Sequence, residues 1–150
     1  MSESRVVVTA TEEIWIDRSP EAVFDYTQDY SRRTEWDAGI SEAAIVADVP
    51  RTARVTVPGL GSMSVVYRLY RRPERTSAGF EDVDSRWITG GGGSWQYEPV
   101  ERGTKWRQTN TLELRPGLLS RLLAPVMRGN LRRSMRRAMA EAKGRLEAGT

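Results

Sequence analysis

Polar and apolar side chains alternate along residues 105–114. Lys105, Arg107, Thr109, Thr111 and Glu113 form one row, and Trp106, Gln108, Asn110, Leu112 and Leu114 form the other. A period of two is that of a strand with one wet face, so the even row, its two amides included, is expected to face the interior. Met63, Val65, Tyr67 and Leu69 stand against Ser64, Arg68 and Arg72 in the same way, and Trp95 and Tyr97 against Ser94, Gln96 and Glu98. Near the amino end, in an extended run over 6–17, Ile14 and Ile16 alternate with Glu13, Trp15 and Asp17, which points both isoleucines inward.

Between these rows, turn chemistry divides the middle of the chain into short strands over 40–47, 53–57, 62–72, 76–83, 86–97 and 105–114. Pro50, Pro58-Gly59-Leu60-Gly61, Pro73-Glu74, Asp82 to Asp84 and Glu101-Arg102-Gly103 are the separators. Spacing this close requires antiparallel, meander connections. Before the meander, Ser19, Pro20 and Glu21 read as a cap, a first-position proline and a first-turn acid, opening a short helix through Tyr26. Asp29 reads as a second cap, for a helix over 30–35 that needs Tyr30 and Trp36 to pin it.

At the carboxyl end the period changes. Leu119, Leu122, Leu123, Val126, Met127, Leu131, Met135, Ala138, Met139, Ala142 and Leu146 recur at steps of three and four, predicting one long amphipathic helix over 117–146. Pro125 is expected to break or kink it after its first turns, since it lacks an amide donor and crowds the carbonyl of Arg121. A strand, two short helices, a six-strand meander and a long terminal helix make an α+β domain with the sheet wrapped around that helix.

Composition narrows the chemistry. With 39% hydrophobic residues in 150, the chain can bury a core without staples, and one domain over 1–150 is expected. There is no cysteine and no histidine, so no thiolate nucleophile, disulfide, imidazole base or thiolate or imidazole metal site exists. Any proton transfer falls to a carboxylate, a tyrosine or an arginine-paired group. Residues 1–11 lack the basic flank and apolar run of a secretory signal, and no stretch is long and apolar enough to span a membrane, so a cytoplasmic protein is expected. The net charge is only +3, and of the 23 cations all but Lys105 and Lys143 are arginines, a skew read as compositional bias, with no nucleic acid expected as partner.

Several groups of residues have both a functional and a structural reading. Trp36, Tyr67, Phe80, Trp87, Trp95, Tyr97 and Trp106 are either the walls of a ligand cavity or plain core. Gln108 and Asn110 are inward amides that need partners, supplied by a ligand or by backbone and bulges. Met63, Met127, Leu131 and Met135 suit an adaptable floor for a flexible guest or ordinary gap filling. Gly90 to Gly93 lack both the Gly-Lys-Ser/Thr of a phosphate loop and the crossover of a dinucleotide loop, so a sheet bend is expected and no cofactor is. Arg128, Arg132, Arg133, Arg136 and Arg137 form a basic helical stripe. Through Arg128, Arg132 and Arg136 it offers peripheral membrane contact or a protein-interaction surface, or it is a solvated face interrupted by Glu141 and Glu147. Asp25 and Asp29, four apart, read as capping devices before an acid/base pair.

The order of these elements resembles the polyketide-cyclase-like branch of the START/SRPBCC superfamily. The resemblance rests on Ile14-Trp15-Ile16-Asp17-Arg18-Ser19-Pro20-Glu21-Ala22-Val23-Phe24-Asp25-Tyr26, on the following Asp29 and Trp36, on Gly103-Thr104, and on the Arg-Leu-Leu-Ala-Pro and Leu-Arg-Arg-Ser-Met-Arg-Arg stretches of the last helix. It implies the helix-grip fold, a curved antiparallel sheet of about seven strands gripping the terminal helix around an apolar cavity. It implies binding of a hydrophobic small molecule, lipid, isoprenoid or polyketide-like; in this chain Gln108, Asn110 and Arg71 are expected to orient the guest, with Trp36 near the entrance. A minority of such proteins are cyclases or dehydratases that use a tyrosine after the second short helix and an arginine in the central strands. Here Ile40 falls where that tyrosine would be, and Arg71 lies near the arginine position. Enzymatic action would fall to Arg71 or Tyr67, polarising a carbonyl or enolate oxygen.

Overall fold

The computed structural model describes residues 5–149. The first four residues of the stretch read above for a targeting signal lie outside that range. Strand β1 (Val6–Ile16) leads into helix α1 (Pro20–Thr27), a single 3-10 turn (Tyr30–Arg32) and helix α2 (Arg33–Trp36). A meander follows: β2 (Glu42–Asp48), β3 (Arg51–Val57), β4 (Gly61–Arg71), β5 (Arg75–Asp84), β6 (Ile88–Pro99) and β7 (Thr104–Leu114). Helix α3 (Leu118–Glu147) ends the chain.

The strands form one curved antiparallel sheet in the order β1-β7-β6-β5-β4-β3-β2. The meander runs back across the sheet, so β7 ends beside β1, and the two short helices carry the chain from one sheet edge to the other. This is the α+β helix-grip arrangement. Both predicted caps are present: the Ser19 side chain accepts from the Ala22 amide at 3.2 Å, and that of Asp29 from the Ser31 amide at 3.0 Å. Tyr30 and Trp36, both buried, pin the short turns as their length requires.

In β7 the even row faces inward, with Trp106, Gln108, Leu112 and Leu114 buried. On its other face Thr109 and Thr111 pair hydroxyl to hydroxyl with Thr11 and Thr9, at 3.0 and 3.1 Å. In β4 the predicted facing holds for Met63 and Tyr67 and then fails. The pairing with β5 shifts register between Tyr67 and Leu69, which re-aims the strand. As a result Tyr70, and not Leu69, packs edge-on against Phe24 and Tyr67, with ring centroids 5.2 and 5.6 Å apart.

The glycine run lies within β6, next to a register shift between Ile88 and Gly90. At Gly91 φ is +144°, and a Cβ there would run into the Thr111 carbonyl oxygen of β7. Bare backbone is what lets the sheet bend at this point.

Helix α3 runs as one helix through Pro125, so the proline does not break it. Its first turns are apolar nearly all round, and the face turned to the sheet is Ala124, Met127 and Leu131, leaving Leu118, Leu119, Leu122 and Val126 exposed. Later along the helix Ala138, Met139, Ala142 and Leu146 are buried with Ile16, Phe24, Trp36, Tyr97 and Trp106 in one core cluster. A second cluster, around Val8, Val55, Met63, Tyr67, Ile88 and Leu112, occupies the rest of the concave face. No helix among the described residues is long and apolar enough to cross a membrane.

Candidate functional site

The backbone of α3 comes closest to β1, α1 and α2. Over the central strands, side chains alone must fill the space between sheet and helix, and they do not fill it. A cavity of about 190 Å³ remains. Val55 and Val57 of β3, Leu60 at the β3–β4 tip, and Met63, Val65 and Tyr67 of β4 line it on one side. Ala78 and Phe80 of β5, Gly92, Gly93 and Trp95 of β6, and Gln108, Asn110 and Leu112 of β7 continue the wall, while Leu131, Ser134, Met135 and Ala138 of α3 close it. Tyr30, Arg33, Asp37, Gly39, Ile40 and Thr76 complete the lining.

Its polar groups are linked in a definite order. Trp95 Nε1 can only donate, and it donates to Asn110 Oδ1 at 3.1 Å. That turns the Asn110 amide nitrogen onto Gln108 Oε1, also at 3.1 Å. A second relay starts at the wall and runs into the core. Tyr67 donates its hydroxyl hydrogen to Gln28 Oε1 at 2.7 Å, so across the 2.7 Å gap between the two phenol oxygens Tyr30 is the donor. Gln28 Nε2 then donates to Tyr97 at 2.8 Å. Tyr97 donates to Thr27 Oγ1 at 2.7 Å, since the Thr27 hydrogen goes to the Val23 carbonyl at 2.8 Å. Burial first, and then the neighbouring Tyr30, push the Tyr67 hydroxyl far above the usual phenol range, and burial does the same to Tyr97.

Arg33 carries the charge at this site. Its residue surface is only 9% exposed. Nε donates to Asp37 Oδ2 at 3.0 Å, and Asp37 Oδ1 accepts from the Gly39 amide at 3.2 Å. The guanidinium lies over the rings of Trp36 and Trp95, 4.8 and 4.9 Å from their centroids, and 5.5 Å from that of Tyr30. Burial acts to lower the Arg33 pKa, but the Asp37 carboxylate and the nearby phenols outweigh it, and the net shift is upward.

Of the residues singled out from sequence, Met63, Tyr67, Phe80, Trp95, Gln108, Asn110, Leu131 and Met135 lie on the cavity wall. Trp36, Tyr97 and Trp106 do not: they are packed together in the first core cluster, with Trp106 5.6 Å from Trp36 and stacked on Tyr97 at 6.2 Å. Trp36 therefore belongs to the core and not to an entrance. Trp87 and Met127 pack against the second cluster outside the lining. Arg71 lies near the end of β4 with its side chain 55% exposed and 3.8 Å from Glu74, away from the cavity. The Tyr67 hydroxyl, engaged with Gln28, has no hydrogen left to polarise a carbonyl. Ile40 does line the cavity, without a hydroxyl.

The arginine stripe is partly internal. Arg132 and Arg136 both hold the Glu12 carboxylate of β1, at 2.8 and 2.7 Å. Asp25 pairs with Arg72 and Asp29 caps the 3-10 turn, so the two carboxylates act separately. Among the described residues no cluster of His, Cys, Asp or Glu is suited to hold a metal ion.

Arg33, Asp37, Tyr30 and Ser134 are wall residues that sequence reasoning missed. Arg33 and Asp37 flank Trp36 at a spacing of four, but in a chain this rich in arginine that pair carries little signal.

With this geometry in view, comparison with known proteins gives a consistent result. The model of a family described as polyketide cyclase/dehydrase and lipid transport matches residues 7–147. The chain belongs to that family. The aromatase/cyclase Zhui from Streptomyces superposes with a TM-score of 0.80 at 9% identity, covering 95% of this chain and 94% of that one. A START superfamily protein from Mycobacterium smegmatis gives 0.72 at 16% identity, covering 98% and 100%. The di-domain ARO/CYC BexL gives 0.74 at 16% identity over 92% of this chain, which spans 49% of that longer protein. At these identities the structural likenesses speak for the fold. No curated protein matches the chain in sequence.

Proposed function

We propose that this family member binds one compact hydrophobic molecule in the cavity between the sheet and α3. The observation that carries the reading is the cavity itself, walled by Val55, Met63, Val65, Phe80, Leu131 and Met135 at the point where α3 draws away from the central strands. An apolar cavity of roughly 150 Å³ accepts benzene. A space of about 190 Å³ therefore suits a guest of one or two rings better than a long acyl chain. A guest removing about 300 Å² of apolar surface from water gains on the order of 7 kcal/mol before ordering costs are subtracted.

Turnover of a polyketide-like guest is the second reading, favoured by the description of the family. The exposure of Arg71, the engaged hydroxyl of Tyr67 and the missing hydroxyl at Ile40 weigh toward binding without chemistry.

Calorimetric titration with a panel of neutral one- and two-ring compounds, among them 2-naphthalenemethanol, tests the reading on wild type and on Leu131→Trp, whose indole fills the cavity. One-to-one binding to wild type that disappears in Leu131→Trp is the expected result. A panel in which neither these compounds nor their carboxylic acid counterparts bind, or binding unaffected by the filled cavity, overturns it.

A further inference from the structure

Apart from the Thr76 and Ser134 hydroxyls, the polar side chains on the cavity wall are unevenly matched, with acceptors satisfied by the protein and donors left over. Both Asp37 oxygens accept from the protein, and the oxygens of Asn110 and Gln108 each accept in the amide relay. Tyr67 accepts from Tyr30. Gln108 Nε2, at the end of the Trp95–Asn110–Gln108 relay, has no acceptor among the described residues, although Gln108 is only 3% exposed. Arg33 engages Asp37 through Nε alone, and no described residue accepts from its Nη1 or Nη2. The Nη end of this guanidinium, unmatched by protein on the cavity wall, has the spacing of a carboxylate.

Trp95 joins these two donors into one site. The Arg33 guanidinium lies over its ring, and its indole N–H fixes the amide relay that ends at Gln108. The Asp37 side chain neutralises Arg33 without blocking the Nη edge, and the rings of Trp36, Trp95 and Tyr30 hold the guanidinium in place.

We infer that the guest is an acid, a compact apolar molecule whose carboxylate sits on Arg33 Nη1 and Nη2 with Gln108 Nε2 as the auxiliary donor. The inference rests on the cavity being the binding site. It adds a charge requirement that burial of apolar surface does not impose. Charge-assisted, bidentate bonds in a water-poor site favour the carboxylate over a neutral group of the same size by about tenfold or more.

The test compares 2-naphthoate with 2-naphthalenemethanol, two probes of the same ring system, by calorimetry at pH 7. Wild type is expected to bind the acid at least about tenfold more tightly than the alcohol. Arg33→Gln alone leaves Asp37 buried without its partner, so the double variant Arg33→Gln/Asp37→Asn is measured beside it, with near-ultraviolet circular dichroism confirming native packing. In the double variant the preference for acid over alcohol is expected to fall to about twofold or less. Equal affinity of wild type for acid and alcohol, or a preference that survives in the double variant, overturns the assignment of an acid while leaving the cavity reading standing. Failure of both probes, together with the neutral panel, overturns the cavity reading, and this inference with it.

Discussion

The two halves of α3 do different things. From Met135 to Leu146 its inward residues are small or slender, with Ala138, Met139 and Ala142 buried, and the helix lies tight against a block of rings from Phe24, Trp36, Tyr97 and Trp106. From Leu118 to Val126 four large apolar side chains point to solvent, and the inward face touches the sheet only through partly buried Ala124, Met127 and Leu131. The cavity lies where one regime gives way to the other, on Leu131, Ser134, Met135 and Ala138. A grip at one end of the helix fixes the fold. Looseness over the central strands leaves space for a guest.

Substitutions separate the halves. Trp106→Ala, in the solid half, is expected to cost about 3–5 kcal/mol in urea denaturation, whereas Leu131→Ala, which enlarges a space already present, should cost less than about 2 kcal/mol. Equal losses at the two sites would remove the distinction. Gly91→Ala is expected to cost about 2 kcal/mol or more, because the new methyl meets the Thr111 carbonyl at a positive φ. An unchanged midpoint there would show that the bend in β6 does not depend on bare backbone.

The tyrosines give a pH test. Burial first, and then the hydrogen bond to Glu35, raise Tyr26 from 10.0 to about 12, and Tyr67 and Tyr97 are raised as well. The folded state holds these phenols neutral where the unfolded chain ionises them. Their contribution to stability is therefore fully present below pH 10 and is lost as pH rises through the folded values, from about 12 for Tyr26 upward. Phenolate absorbance near 295 nm from these residues should appear together with loss of the fold. Ionisation of Tyr26, Tyr67 and Tyr97 near pH 10 in an intact fold would contradict the burial assigned to them. The smallest effect is expected from Leu122→Ser, within about 0.5 kcal/mol of wild type, since that side chain is 66% exposed.

Much of the architecture is legible in residue order. Ser19 before Pro20 and Glu21, Asp29 before the next turn, and the even row of β7 each have one reading, because a cap or a period of two admits few alternatives. The register shift after Tyr67 has no such signature, and it brings the still half-exposed Tyr70, where alternation favours Leu69, against the rings of Phe24 and Tyr67. The first turns of α3 were ambiguous for another reason: apolar residues surround the helix there, so periodicity cannot say which face meets the sheet. Of the site, the amides and the apolar wall could be anticipated from facing alone. Arg33 could not. Its importance comes from burial and from the two indoles that flank it, and both arise only once β6 is folded beside α2.

Methionine methyl NMR tests the central claim most directly, because these side chains sample both regimes. Met63 and Met135 line the cavity, while Met139 is buried in the solid half. On titration with 2-naphthalenemethanol or 2-naphthoate, ring-current shifts are predicted at Met63 and Met135, with Met139 unmoved. Saturable binding that shifts Met139 as strongly as the other two, or that leaves Met63 and Met135 in place, would contradict a guest held between the central strands and α3.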